Sequence, residues 1–194
     1  MDVLVNLDAA CGRRLKYRDL VECGNTWIEH ATHRAPIDNV PREGATFAAL
    51  AALCEAILDP VADTLGIPVL TYGFASARLT SRIPKGIAPR LDQHAAYERR
   101  GDGSLVCDRG GAAVDFFVPG HGAMAVARWL VANTPFDRIY VYGDDRPLHV
   151  SHGPRSSGLV FEVIRSASGR RYPRRLQLGL TERAGSAIAT AARW

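Results

Sequence analysis

The chain has 194 residues, of which 47% are hydrophobic and 23% charged. That length and balance fit a globular domain with a real hydrophobic core and exclude a disordered or fibrous chain. The formal net charge of +4 permits an anionic partner such as nucleic acid or a cell-wall polymer without requiring one.

In chain order, an apolar opening (Val3-Leu4-Val5) leads to a basic stretch, Gly12-Arg13-Arg14-Leu15-Lys16. Tyr17–Val21 reads as a short helix or strand, ended by Cys23-Gly24-Asn25-Thr26. His30 and His33 follow in a polar segment broken by Pro36 and Pro41. No third ligand is near them in sequence, so they are expected to be exposed or to support a site from outside. Residues 45–65 carry the clearest period. Phe47, Leu50, Ala51, Cys54, Ile57, Leu58, Val61 and Leu65 recur at helical spacing and form one apolar stripe. Thr46 is the expected cap and Gly66 the stop, while Pro60 is expected to kink or split the helix. Ile67–Phe74 then reads as a strand entering the core.

Residues 76–93 are polar and rich in turns, and such a long irregular segment is usually functional or mobile. It delivers His94. Ala95–Arg99 could make a helical turn that places Glu98 one turn beyond His94. Gly101-Asp102-Gly103 reads as a hairpin-type turn, and Ser104–Cys107 as a returning strand. Ala112–Val118 is a strand in which the lone carboxylate of Asp115 interrupts a run that otherwise wants burial. His121 falls near the start of a helix over Ala123–Val131, which packs Val126, Trp129 and Leu130. Asp137–Tyr142 is a strand and Gly143-Asp144-Asp145 a turn. The next strand carries His149 and is expected to pair antiparallel with its predecessor. Leu159–Ile164 is a further strand, and Gly169–Arg175 a basic turn. This order predicts an α+β domain with a small, mostly antiparallel sheet flanked by helices. It is read as one domain, with a core over about 45–165, an N-terminal extension 1–44 and a basic C-terminal tail 166–194.

The four cysteines (Cys11, Cys23, Cys54, Cys107) are scattered, with no CxxC pair. Cys54 lies on the apolar stripe and is expected to be a buried thiol. Cys107 lies between candidate ligands and reads as a loop or strand thiol before it reads as a metal ligand. With no signal-peptide pattern and no long apolar run, no membrane partner is expected. The implied compartment is the cytoplasm, with reduced thiols.

The chemistry concentrates in three short segments. Leu148-His149-Val150-Ser151-His152 presents a histidine on an apolar strand, Asp92-Gln93-His94 presents a second, and Asp115 supplies a carboxylate. Two imidazoles and one carboxylate, with a fourth position left open, form the ligand set of many hydrolytic zinc sites. The expectation is that His94, Asp115 and His149 hold one Zn2+ ion.

These segments resemble a known family. Leu53 to Thr71, Gln93-His94, Gly111–Phe116, Phe136–Ile139 and Leu148–Ser151 are similar in order and local character to M15 peptidases. That family comprises zinc-dependent D-Ala-D-Ala carboxypeptidases, dipeptidases and phage endolysins, with a fold shared by the hedgehog signalling domain. The resemblance spans roughly residues 45–152 and implies the same three ligands. The chain departs from the family at several points. An insertion around 101–109 must loop out between His94 and Asp115. Asp92 stands where the family has a serine. The family's oxyanion-steadying arginine is replaced near Phe74-Ala75, where Arg78 or Arg82 could substitute. Arg146 occupies the place of the family's catalytic glutamate, so Asp145, Asp144 or, from the insertion side, Glu98 are the candidate bases. Each of these carboxylates also reads as solvated surface. His152 would point to the face opposite His149 if the strand is regular, although a turn at Gly153-Pro154 could return it to the substrate.

Two functions compete. One is a zinc hydrolase cleaving an amide or peptide bond in a peptide or cell-wall-type substrate. The other is a zinc-binding domain of the same fold that acts on or binds another partner. Arg13-Arg14, Arg99-Arg100, Arg170-Arg171 and Arg174-Arg175 hint at an anionic one, nucleic acid included.

Overall fold

The apolar stripe of residues 45–65 becomes the rod against which the rest of the chain packs. In the computed structural model, which describes residues 6–32, 37–83 and 88–178, it follows two short helices, α1 (Tyr17–Val21) and α2 (Gly24–Ala31). The rod comprises α3 (Gly44–Leu53), a π-helical turn (Cys54–Leu58) and α4 (Asp59–Thr64), which run on without a break. Pro60 therefore does not split it. The Asp59 N–H donates to the Cys54 carbonyl, and this wider turn accommodates a residue with no N–H of its own. Gly66, at φ +114°, ends the rod as expected. By length and composition alone this helix could cross a membrane. Its Leu50, Leu53, Ile57, Leu58 and Val61 are instead buried in the chain's own core. Thr46 is not its cap; its buried hydroxyl donates to the Glu98 carboxylate.

Six strands follow the rod, interspersed with α5 (Ala77–Thr80) and α6 (Ala123–Asn133). They are β1 (Val69–Tyr72), β2 (Ala112–Phe117), β3 (Arg138–Val141), β4 (Leu148–His152), β5 (Leu159–Arg165) and β6 (Arg171–Leu176). They form one mixed sheet in the order β1-β2-β4-β3-β5-β6, and the fold is α+β. β3 and β4 pair antiparallel as expected; β3 and β5 are the parallel neighbours. Two expectations fail locally. The turn expected over Gly169–Arg175 is confined to Ser166–Gly169, closed by Gly169 N–H on the Ser166 carbonyl, and the arginine-rich run after it pairs along β5. Ser104–Cys107 is not a strand. It makes a single bridge, Arg99 to Leu105, and the Arg100 guanidinium satisfies the Leu105 and Val106 carbonyls that a neighbouring strand would otherwise take.

Strand alternation divides the sheet into two chemistries. Val114, Val150, Ile139 and Val160 lie side by side across four strands and face the core, as do Phe116, Leu148 and Val141. The rod and α6, through Val126, Ala127 and Leu130, cover this face, with Trp129 packed at its margin. Cys11, Leu20 and Val21 belong to the same core and Leu176 packs against it, so the core is not confined to 45–165. Val3–Val5, His33 and the chain beyond 178 lie outside the described residues.

Candidate metal centre

On the opposite face, the strand register lines up one row of side chains. Tyr72 pairs with Asp115, Asp115 with His149, His149 with Tyr140, and Tyr140 with Phe161. Laterally paired residues share a face, so Asp115 and His149 are neighbours by register alone. A bulge between Leu70 and Tyr72 lets Tyr72 join the row, and the Thr71 hydroxyl donates to the Asp115 carbonyl there.

His94 arrives from outside the sheet. It sits in a 3-10 turn, Gln93–Ala95, whose start is capped by the Asp92 carboxylate accepting the His94 N–H at 3.1 Å. Gln93 and His94 then diverge. The Gln93 amide donates to the Gly110 carbonyl (2.8 Å) and to Asp137 (3.0 Å), which also accepts the Ser157 N–H. The inserted segment thus returns to β2 by docking on Gln93. At Gly111 (φ +81°) a Cβ would lie 2.2 Å from the His152 carbonyl, so the return can pass only as glycine. His94 turns instead toward Asp115 and His149. Its Nδ1 is 2.8 Å from the Gly73 carbonyl and must be the donor, since a carbonyl only accepts. That contact fixes the tautomer and leaves Nε2 free to face the cluster.

The three facing atoms form a tight triangle. His149 Nδ1 is 2.8 Å from Asp115 Oδ1, His94 Nε2 is 3.3 Å from the same oxygen, and the two ring nitrogens are 3.2 Å apart. Among the described residues, this is the group of three that could hold a metal ion. Both histidines are 5% exposed. The His94 ring meets the Tyr72 ring edge-on at 4.7 Å, and His149 meets Tyr140 at 5.4 Å. Burial works against a charge on His94, but the Asp115 carboxylate, with Asp92 behind it, lifts its pKa to about 9. Burial also works against the Asp115 charge, and the two imidazoles overcome it, holding the carboxyl well below its usual range. Without an ion, the triangle is therefore a proton-bridged pair of charges. The same three atoms could instead hold a metal ion.

The other expected site residues fall elsewhere. Glu98 is buried at the start of α3, where one oxygen accepts the Arg42 and Glu43 N–H groups and the Thr46 hydroxyl. It is a helix cap and not a free base. Asp144 accepts the Met124 N–H at 2.8 Å and caps α6, while its own carbonyl accepts the Ala123 N–H. Asp145 is exposed in the turn between β3 and β4 and has no hydrogen-bonding partner for its carboxylate among the described residues. Asp92 positions the backbone of His94 by accepting its N–H. Arg78 lines a cavity of about 440 Å³ with Arg42, Arg99 and Arg100, and no metal-ligand candidate lines it. Arg82 is exposed beyond α5. His152 lies on the core-side parity of β4, paired with Ala112, and its Nδ1 bonds the Pro135 carbonyl, so no turn returns it to His149. Cys107 is buried beside Ala95 and Val106, outside the triangle, and His121 is exposed. His30 stacks on Trp27.

Tyr72, Tyr140 and the Gln93–Asp137–Ser157 network were not anticipated as parts of the site. The alternation Ile139-Tyr140-Val141 carried the signal for Tyr140, since apolar neighbours turned to the core leave the tyrosine on the other face. Comparison with protein-family models, curated proteins and solved structures gave no match.

Proposed function

We propose that the chain is a zinc-dependent hydrolase resembling M15 peptidases, which cleaves an amide or peptide bond in a peptide or cell-wall-type substrate. The observation that carries this reading is the triangle. Zinc–nitrogen and zinc–oxygen bonds of about 2.0–2.2 Å at tetrahedral angles separate neighbouring ligand atoms by roughly 3.3 Å. The His94 Nε2 contacts of 3.2 and 3.3 Å match that edge. The 2.8 Å contact between His149 and Asp115 is shorter than that edge, and the two side chains would have to part by about 0.5 Å to hold an ion between them. Three protein ligands would leave a fourth position on the ion open to water or substrate. The α+β sheet with its helices is compatible with the carboxypeptidase and hedgehog-like architecture that the resemblance implies.

His94, Asp115 and His149 would hold the ion, which supplies Lewis-acid chemistry: water ionised near neutral pH and a polarised carbonyl. The chain's own part is to fix the ligands. Gly73 sets the His94 tautomer, the sheet register holds Asp115 against His149, and the Tyr72 and Tyr140 rings wall the cluster. Asp145 is the candidate base whose carboxylate is uncommitted, and its role would be to take a proton in the turn ahead of β4.

A second reading has its own support. Asp144 and Glu98 are both committed to helix caps, which leaves the centre short of a nearby carboxylate and favours a zinc-binding domain without turnover. One experiment separates the two. Metal content is measured by plasma mass spectrometry, and hydrolysis of D-Ala-D-Ala and peptidoglycan fragments is assayed on the parent and Asp145→Asn. About one zinc per chain with turnover lost in the variant supports the hydrolase. Zinc without turnover in the parent supports the binding domain, and no metal after zinc is supplied overturns both.

A further inference from the structure

Away from the metal centre, two buried thiols meet. Cys11 lies in the segment before α1 and Cys54 opens the π turn of the rod. Their Sγ atoms are 3.1 Å apart, and the two residues are 2% and 0% exposed. The approach is built into the backbone. A Cβ on Gly12 would stand 2.7 Å from the Cys54 Cβ, so glycine there lets the N-terminal segment lie flat on the rod. The next residues clamp it. Arg13 N–H donates to Asp59 at 2.8 Å, and the Arg13 and Arg14 guanidinium groups hold Asp63 at 2.5 and 2.8 Å.

Two buried thiols in contact can share an S–H···S hydrogen bond, as the Cys54 thiol does with Cys11 here, hold a metal together or form a disulfide. A closed structural metal site needs further ligands. Asp59 is buried nearby with Oδ1 unpartnered, but no third ligand atom among the described residues lies within 4.8 Å of both sulfurs. About 1 Å of movement would bring the sulfurs to the length of a disulfide.

We propose that Cys11 and Cys54 are a disulfide-forming pair whose oxidation ties the N-terminal segment to the core helix. The oxidant is a low-molecular-weight disulfide such as oxidised glutathione. One cysteine, as thiolate, attacks it and releases one small thiol; the second attacks the mixed disulfide and releases the other. The protein loses two hydrogens and the small disulfide becomes two thiols. In a reducing compartment the pair stays reduced.

The tether acts on the layer behind the metal centre. The tied segment leads into α1, whose Leu20 carbonyl accepts the Phe74 N–H and abuts Gly73, where a Cβ would lie 2.1 Å away. Gly73 in turn holds His94. The contact with Cys11 and burial disfavour the Cys54 thiolate, with the Asp59 charge adding to them. Exchange therefore waits for the segment to lift from the rod, and low urea accelerates it. None of this depends on the reaction at the metal centre.

The test uses the full chain, purified in reductant and then held in a glutathione redox buffer with and without low urea. It is read by intact mass, by peptide mapping after denaturation and alkylation without reductant, and by thermal unfolding. The expected result is a mass lower by two hydrogens, a linked Cys11–Cys54 peptide, and Cys23 and Cys107 fully alkylated. The unfolding midpoint rises by roughly 5 °C or more, and Cys11→Ala and Cys54→Ala each remove the rise. Full alkylation of Cys11 and Cys54 after prolonged oxidation in urea, or pairing with Cys23 or Cys107, overturns the proposal. So does a bound metal that persists in His94→Ala and is lost in Cys11→Ala. If either alanine variant fails to fold, the peptide map of the parent decides alone.

Discussion

Gln93 and His94 are adjacent, yet they serve two buried polar clusters of opposite kinds. Gln93 enters a closed one, in which Asp137 accepts from the Gln93 amide and from the N–H and hydroxyl of Ser157. Every contact there runs from a donor to an acceptor, and burial costs little because the partners are present. His94 enters an open one. Its Nε2, the His149 Nδ1 and an Asp115 oxygen all converge on the same point, and as lone pairs they repel unless a proton or a cation sits among them. Such a cluster stabilises the fold only while it keeps its protons, and the same three atoms could instead hold an ion.

Breaking each cluster separately should give opposite signatures. His94→Ala, Asp115→Ala and His149→Ala should each take bound zinc from about one per chain to near zero, while the apo-protein remains folded. Asp137→Ala should strand the buried Gln93 and Ser157 donors. The expected cost is about 3 kcal/mol of stability, or a midpoint lower by roughly 6–12 °C, with zinc stoichiometry retained. Equilibrium unfolding beside metal analysis checks both. Zinc loss in Asp137→Ala without destabilisation would show that the two clusters are not divided as argued.

The open cluster also makes a pH signature. The pKa of His94 is raised from 6.5 to about 9 in the folded apo-protein. Its contribution is then fully present below its unfolded pKa and is lost as pH rises through about 9, on the order of 3 kcal/mol. The lowered pKa of Asp115 works the other way: its contribution is present above 3.8 and is lost as acid protonates it. Apo-protein stability should therefore fall on the alkaline side. Zinc displaces the proton, so the loaded protein should lose that decline and instead weaken toward acid. Unfolding free energies across pH with and without zinc test this, and identical profiles would sink it.

Much of this division was legible in the residues. Asp115 and His149 each interrupt an apolar strand, and alternation alone sends them to the face away from the core. His94 was legible as the end of a long irregular segment, but its tautomer was not, because that depends on Gly73, a contact made by tertiary packing. Pro60 does not split the helix because a π turn absorbs it, which local propensity does not signal. The three candidate bases failed to separate for a similar reason. An Asp or Glu in a loop reads as solvated surface or as catalytic until the helix it caps is known, and Glu98 and Asp144 cap helices that lie earlier in the chain. Gly169–Arg175 reads as a turn by composition, and only the pairing of Arg171–Leu176 with β5 makes most of it a strand.

The smallest expected effects test those caps. Asp144→Ala removes the acceptor for the Met124 N–H at the first turn of α6. It should cost about 1 kcal/mol, seen as a midpoint lower by roughly 2–4 °C, and leave zinc binding unchanged. Asp145→Ala, one position on and exposed, should change stability by less than about 0.5 kcal/mol. The pair is informative because the two carboxylates are chemically identical neighbours with opposite assignments. Asp144 is committed to the first turn of α6, whereas the Asp145 carboxylate has no hydrogen-bonding partner among the described residues. If thermal unfolding gave the larger loss at Asp145, the turn between β3 and β4 would be held by that carboxylate, and Asp144 would become the better candidate to act beside His149.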